Sequence, residues 1–388
     1  MLRFVRTHCD TLSIASVGPP RQAHPMPAAD PTPRTVLTVN AGSTGVKLRL
    51  VDDAGRATAI GGLAEAPAGL AAVGHRVVYG GARFTAPTVI DDGVAAVLAA
   101  LGGVAPLHNA PAVALIKEAR AAFPGIPQVA VFDTAFHASL PDEAAVYPVP
   151  EDWRTGWEVR RHGFHGLSVE WAAGRVTQML APADDPRLVV CHLGGGASAS
   201  AVRAGRSVDT SMGFSPLEGL VMATRSGSLD PGVPLHLILH GMAPQEVRRM
   251  LNEDSGLLAL AGTADMREVE ERAAEGDEAS RLALDVHDHR LAGTIASLAA
   301  SLGGLDAVAF TGGVGEGSAR VRAETARRLA FLGMAVDPGR NAAPEGDADV
   351  SAPGAGVRTL VVRSREDLVI ARSTRRVLAA RPVAGDRA

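Results

Sequence analysis

The sequence predicts an α/β protein built from two related halves. Three observations carry this reading. The stretch "TVLTVNAGSTGVKLRLVDDAGR" (35–56) is two runs of strand-formers around a tip of small and hydroxyl residues. "RLVVCHLGGGASASAVRAGRSVD" (187–209) repeats that layout, with a basic turn at Gly205 matching the one at Gly55. "LDAVAFTGGVGEGSARVRAETARRLAFLG" then runs strand, glycine-rich turn and helix, with helical periodicity in the segments between.

Taken in order, residues 1–34 are rich in Pro, Ala and Arg, show no periodicity and read as a disordered extension. Their apolar run "LSIASV" is too short for the core of a signal peptide. In the first hairpin, small residues let a backbone come close to a ligand, and successive N–H groups form a concave anion site. It is not a P-loop: Val46 separates Gly45 from Lys47, Leu48 follows, and "VKLRLVDD" alternates as a strand. An ordinary hairpin turn fits this stretch alone equally well. Strands are expected at 73–78 and 128–132. Helices are expected at 91–102, 111–123 (with Pro111 in the first turn), 168–180, 244–253 and 278–302. The stretch 208–232 runs 25 residues without clear periodicity, and so long a loop usually has a functional reason. "GGVGEG" leads into a helix N-terminus suited to phosphate, but its GxGxxG look is weak evidence for a dinucleotide fold without a partner acid on a following strand.

The 388 residues suffice for two domains, and a formal charge of −4 argues against nucleic acid or an anionic membrane as partner. Cys9 and Cys191 cannot make a disulfide framework, which fits a reducing cytoplasm. No apolar run approaches bilayer length. Of 38 basic residues only Lys47 and Lys117 are lysines, so a lysine on the hairpin suggests a need for a compact ammonium.

Polar residues cluster at expected strand ends. His75 and Arg76 lie in a strand run ending at Gly80, and Asp133 ends a buried strand, the usual place for active-site groups in open α/β sheets. Asp133 alone fits a helix cap or a buried acceptor as well as a catalytic role. "RRHGFHGLS" packs Arg160, Arg161, His162 and His165 between glycines, and Arg225 and Asp230 sit in the long loop. His236 and His240 have a spacing zinc could use, but without a third ligand they read as a helix face. His287 and His289 read as a solvated face, and Met212, Met222 and Met266 as packing.

The blocks "VNAGSTGVKL", "GHRVVYGG", "APLHN", "VFDTAFH", "RRHGFHG", "HLGGGAS", "DTSMGFSPLEGLVMATRSGSLDP" and "FTGGVGEGSARVR" together resemble the acetate kinase family. They recur in that family's order across nearly all of residues 35–380. The resemblance implies a two-domain actin-like ATPase fold, a duplicated ribonuclease H-like unit shared with actin, heat-shock chaperones and sugar kinases. By it, 35–168 is an N-terminal domain carrying the first hairpin and the carboxylate-binding half, and 169–388 is the nucleotide-binding domain. A C-terminal helix, 366–380, packs back toward the first domain.

The implied reaction passes the γ-phosphate of ATP to acetate, giving acetyl phosphate and ADP, with Mg²⁺ (Mn²⁺ as alternative), in a cytoplasmic homodimer. Asp133, His165 and Arg225 would be catalytic. Arg76 would hold the carboxylate beside Val78, Leu107 and Pro216. Ser43, Thr44 and Lys47 would line the phosphate path, and Asn40 and Glu366 would hold the metal. His192, Leu193, Gly194, Gly195 and Gly196 match the nucleotide-binding segments, as do Asp265, Met266, Arg267, Gly313, Val314, Gly315, Glu316 and Gly317.

A carboxylate with a pKa of roughly 4 to 5 is already ionised at neutral pH, so the chemistry calls for cations and fixed donors rather than a base. Propionate kinase is the alternative within the class. A non-catalytic nucleotide-binding switch is the alternative outside it, though it has no need of Arg76, His165 and Arg225 around a second small anion. This chain departs from the family at Gly45, Tyr79, Leu167, Val169, Gly195 and Gly317. The last two replace asparagines, so a raised KM for ATP and modest discrimination among nucleoside triphosphates are expected.

Overall fold

The computed structural model describes residues 35–380 apart from 43, 44, 102–105, 183 and 184, and describes no side chains at 106–108. The expected disordered extension therefore lies outside the described residues, as do Ser43 and Thr44.

The first hairpin pairs β1 (Val36–Gly42) with β2 (Gly45–Val51), antiparallel, in a register that sets Asn40 opposite Lys47. With β3 (Ala57–Ile60), β4 (Ala72–Val77), β5 (Thr88–Val89) and β6 (Gln128–Phe132) it forms a six-stranded sheet ordered β3-β2-β1-β4-β6-β5. The second sheet holds β7 (Leu188–Leu193), β8 (Ala197–Arg203), β9 (Arg206–Thr210), β10 (Ala307–Thr311), β11 (Ala348–Asp349) and β12 (Arg358–Val361). Its order is β11-β12-β10-β7-β8-β9. Read from the β9 edge, this is the first sheet again. In each, a hairpin and its third antiparallel strand lead to two parallel neighbours and an antiparallel edge. The duplication expected from the hairpins therefore extends to both whole sheets. Its parallel strands are covered on both faces and so read as continuous apolar runs, such as "VAVF" and "AVAF".

The helices of the first half are α1 (Asp92–Leu101), α2 (Pro106–Ala122), α3 (Asp142–Ala145), α4 (Glu151–Gly156) and α5 (Gly166–Met179). After the second hairpin come α6 (Gly232–Leu239), α7 (Pro244–Glu253), α8 (Gly256–Ala261), α9 (Met266–Ala274) and α10 (Glu278–Leu302). The last are α11 (Gly312–Gly317), α12 (Ala319–Arg328), α13 (Pro338–Ala342) and α14 (Glu366–Ala379). α10 shows how local chemistry sets the bounds. Asp277 caps its start by accepting from the Ser280 N–H, and Gly303 ends it in the left-handed region at φ 68°.

Two expectations need correcting. α2 starts at Pro106, so Pro111 lies inside the helix rather than in its first turn. Pro106 takes the position that suits proline, and Pro111 costs the helix one backbone bond to residue 107. "GGVGEG" is itself the short helix α11 rather than a turn. Gly312 makes the bend at φ 80°, where a Cβ would stand 2.7 Å from the Leu193 carbonyl oxygen. Ser318 then caps α12 by accepting from the Val321 N–H at 2.9 Å.

α14 packs across the first sheet because Gly74 leaves room for it. A Cβ at Gly74 would stand 2.4 Å from Thr374 Oγ1 and 2.7 Å from Ile370 Cγ2. That seating carries the start of α14, Glu366, to Asn40 on β1. Between β9 and α6 the chain forms neither helix nor strand, and Glu218 pins this stretch to Tyr147 and to Arg161 at 2.9 Å. Among the described residues no helix is long and apolar enough to cross a membrane.

Candidate active site

Strands β1 and β4 are parallel neighbours, so their C-terminal ends deliver Asn40 and Arg76 to one place. The residue after β6, Asp133, arrives beside them. The Arg76 guanidinium is buried, and each of its three nitrogens donates to a side-chain oxygen. Nε donates to both Asp133 oxygens, at 3.0 and 3.1 Å, and Nη2 donates to Oδ2 at 2.6 Å. Nη1 donates to Asn40 Oδ1 at 3.0 Å and to Glu366 Oε2 at 3.3 Å. Asn40 Nδ2 closes the ring by donating to Glu366 Oε2 at 2.7 Å.

Burial pushes the Asp133 carboxyl up from its ordinary range against the pull of Arg76. Burial acts the same way on Glu366, but Arg76, His192, Asn40 and Lys47 together hold that carboxyl below its usual value. Gly42, at the end of β1, borders the same group: a Cβ there would lie 3.5 Å from Arg76 Nη1.

His165 precedes α5 in the left-handed region at φ 58°. The next residue has to be glycine, since a Cβ at Gly166 would stand 2.0 Å from the Asp133 carbonyl oxygen. The Gly166 N–H donates to that carbonyl at 3.1 Å, locking His165 against the end of β6. His165 Nδ1 pairs with Ser198 Oγ at 3.0 Å, and its ring lies 4.3 Å from that of His192. His192 Nδ1 in turn pairs with Ser168 Oγ at 2.8 Å. Burial first, then the neighbouring His192, Arg76 and Arg225, hold His165 well below its ordinary pKa. Burial likewise brings His192 down to about 4, so both imidazoles are neutral at pH 7.

Arg225 comes from the long irregular stretch. Its Nη1 donates to the Pro216 carbonyl at 3.1 Å. Gly196 shows how closely these groups converge, since a Cβ there would meet His165 Nε2 at 3.2 Å and Arg225 Nη1 at 3.4 Å. The second hairpin tip, the Arg225 guanidinium and a neutral imidazole thus meet at one point, with Arg76 close enough for its charge to act on His165.

Next to this point opens a cavity of about 630 Å³. Leu193, Gly194, Gly195, Asp265, Met266, Arg267, Gly313, Val314 and Gly317 line it. Four residues expected at the nucleotide do not line this cavity. His192 faces His165 and Ser168, Gly196 faces the Arg225 side, and Gly315 is buried against Phe310. Glu316 braces the backbone instead, accepting from the Gly312 and Ser364 N–H groups at 3.0 and 2.9 Å.

Val78 and Pro216 are buried, while Ser43, Thr44 and the Leu107 side chain lie outside the described residues. Lys47 is exposed on β2 opposite Asn40, close enough for its charge to act on Glu366 and His192. His289 is exposed as expected, but His287 is not: it is buried and lines the cavity together with Glu270 and Ser318. The three expected packing methionines are buried, with Met222 and Met266 also forming cavity wall. Glu270 had no motif to mark it.

The Acetokinase family model matches residues 63–372. The chain is 51% identical over 308 residues to the acetate kinase of Streptomyces avermitilis, covering 79% of this chain and 76% of the relative. It is 49% identical over 307 residues to that of Deinococcus radiodurans, covering 78% and 77%. Among solved structures, a propionate kinase from Francisella tularensis aligns with a TM-score of 0.83 at 33% identity, covering 88% of this chain and 99% of that one. The acetate kinase of Porphyromonas gingivalis aligns with a TM-score of 0.77 at 31% identity, covering 89% and 99%. The duplicated sheets are the two-domain actin-like ATPase fold, and the chain belongs to the acetokinase family.

Proposed function

We propose that the chain is an acetate kinase: a carboxylate oxygen of acetate bonds to the γ-phosphorus of ATP as the bond to the β–γ bridging oxygen breaks. Acetyl phosphate and ADP result, and no proton need be gained or lost at the acid. The observation that carries this is the meeting of Arg76, His165 and Arg225 beside a nucleotide-sized cavity. The substrate is already ionised, so the difficulty is to bring one anion against another and hold the charge that spreads over the transferring group. Arg76 and Arg225 supply fixed positive charge. His165, neutral, serves as a donor through Nε2 when Nδ1 accepts from Ser198. Val78, Leu107 and Pro216 would surround the methyl group.

Asp133 accepts from Arg76 with both oxygens, the arrangement of an ionised carboxylate that aims a guanidinium. It therefore acts by positioning rather than by taking a proton. Glu366 and Asn40 are oxygen donors of the type Mg²⁺ prefers, and Mg²⁺ commonly uses one or two carboxylates together with phosphates and water. Those two would hold the ion, Mg²⁺ with Mn²⁺ as alternative, which would neutralise phosphate charge when bound. Ser43, Thr44 and Lys47 would lie along the phosphates.

In this reading the domains change over at the start of α5, close to residue 168, and the protein is cytoplasmic. It is also a homodimer, for which the exposed Leu235 and Leu239 of α6 offer apolar surface. Propionate is the rival substrate, since one methylene in an apolar pocket is worth only about 1–3 kcal/mol. The test is purified protein with Mg-ATP and C2 to C4 acids, trapping acyl phosphate with hydroxylamine. Acetyl hydroxamate as the dominant product supports the proposal. A preference for propionate changes the substrate, and no hydroxamate from any acid removes the reading.

A further inference from the structure

The cavity lining has two kinds of chemistry. Part is glycine backbone, at Gly194, Gly195 and Gly313. Part carries acceptors, at Glu270 and His287. Glu270 accepts from the Ser318 hydroxyl with Oε1, and its Oε2 has no partner among the described residues. His287, 4% exposed, places Nδ1 at 3.0 Å from Asp288 Oδ1. Asp288 is itself buried, and its Oδ2 accepts from Arg320 Nη1 at 2.8 Å.

A carboxylate accepts only from a protonated nitrogen, so Asp288 keeps a proton on Nδ1, and in the neutral imidazole Nε2 is then the lone-pair acceptor. Among the described residues no hydrogen bond to Nε2 is formed, so it is open to a donor from a bound molecule. His287 lines the cavity, so a bound molecule can supply that donor.

We propose that His287, fixed by Asp288 and Arg320, reads the exocyclic amino group of the nucleotide base, with Glu270 as a second acceptor. The inference rests on the reading of this cavity as a nucleoside triphosphate site and names what the base must offer. Adenine turns an amino donor toward the two acceptors, whereas a 6-oxo purine turns an oxygen toward them. The Glu270 carboxylate repels phosphate, so the same residues orient the nucleotide with its phosphates toward the glycines. Discrimination by base therefore exceeds the modest level expected from Gly195 and Gly317 alone.

ATP and ITP differ in that amino group, which makes them the probes. Wild-type protein is expected to bind ATP at least about tenfold more tightly than ITP in calorimetry, and to show the same ratio in kcat/KM. His287→Phe keeps a ring of similar size without the acceptor. It should raise the KM for ATP and bring the ATP-to-ITP ratio close to one, with the loss in KM rather than kcat. Asp288→Asn, which frees the tautomer, should move the ratio part of the way. If His287→Phe does not fold, the wild-type ratio and Glu270→Gln decide the matter. A wild-type ratio near one, or a ratio unchanged in the folded His287→Phe variant, overturns the proposal. Absence of turnover with either nucleotide would remove the kinase reading instead, and the calorimetric ratio would still decide this one.

Discussion

Arg76 and Asp133 form a buried two-point pair, Nε to Oδ1 at 3.0 Å and Nη2 to Oδ2 at 2.6 Å. The geometry divides the labour between them. The guanidinium faces the hairpin at Gly42 and the Asn40–Glu366 corner, while the carboxylate behind it has both oxygens occupied. A base needs a free lone pair within reach of a proton, and this carboxylate has its oxygens turned to Arg76.

Asp133→Asn should therefore disable the enzyme by loosening Arg76. Turnover should fall by about a hundredfold or more, and stability should fall too, since removing one partner of a buried pair costs about 3–5 kcal/mol. Wild-type kcat should show no essential base titrating between pH 6 and 8. A limb in that range that vanishes in the Asn variant would return Asp133 to the role of base.

Arg76→Ala and Arg225→Ala separate binding from transfer. Each removes preorganised positive charge and should lower kcat by about a hundredfold or more. In the proposed mechanism Arg76 holds the acid, so its loss should also raise the KM for acetate. Arg225 meets His165 across Gly196, so its loss should fall mainly on kcat. Near-normal turnover in both variants would contradict the mechanism.

Much of this was legible in the sequence because backbone geometry writes itself into residue types. The small-residue hairpin tips and the apolar parallel strands gave the duplicated sheets, and strand ends located Arg76 and Asp133. The illegible part came from tertiary pairing. His287 sits in a helical run of charged residues that looks solvated, yet Asp288 next to it is buried and paired with Arg320 from α12. Glu316 sits inside a glycine-rich signature, yet its carboxylate ties the backbone of its own helix at Gly312 to that of Ser364. In both cases a deciding partner, Arg320 or Ser364, is far away in sequence.

The buried histidines predict the acid stability of the fold. Burial holds His75, His137 and His192 down to about 4, so each is neutral in the native state at pH 7. In the unfolded chain each titrates near its ordinary value of 6.5. Between those values the unfolded state binds more protons, so stability rises with pH and falls as pH drops from 6.5 toward 4. The slope is about 1.4 kcal/mol per pH unit for each histidine once the window is fully entered. Urea midpoints at pH 7 and pH 5 check this above the range where most carboxylates titrate. A midpoint that does not fall between them would contradict it.

The phosphoryl donor should be ATP rather than pyrophosphate, because the cavity beyond the second hairpin is open. Gly313 and Gly317 both line it, and a Cβ added at either meets nothing within 4 Å. A chain specialised for pyrophosphate has no use for a space of about 630 Å³ there. The same openness costs affinity, since no side-chain amide reaches the nucleotide from residue 317. Gly317→Asn should supply one without strain, as the position has room and no left-handed backbone angle. One hydrogen bond is worth about 0.5–1.5 kcal/mol, so the KM for ATP should fall by about two- to tenfold. The KM for acetate should not follow it, because Gly317 lines the cavity proposed for the nucleotide and not the Arg76 corner. Steady-state rates with ATP and pyrophosphate, for wild type and Gly317→Asn, measure both effects. Faster turnover with pyrophosphate than with ATP would overturn the open-cavity argument, and an ATP KM that rises in the Asn variant would show that the amide crowds the nucleotide instead of binding it.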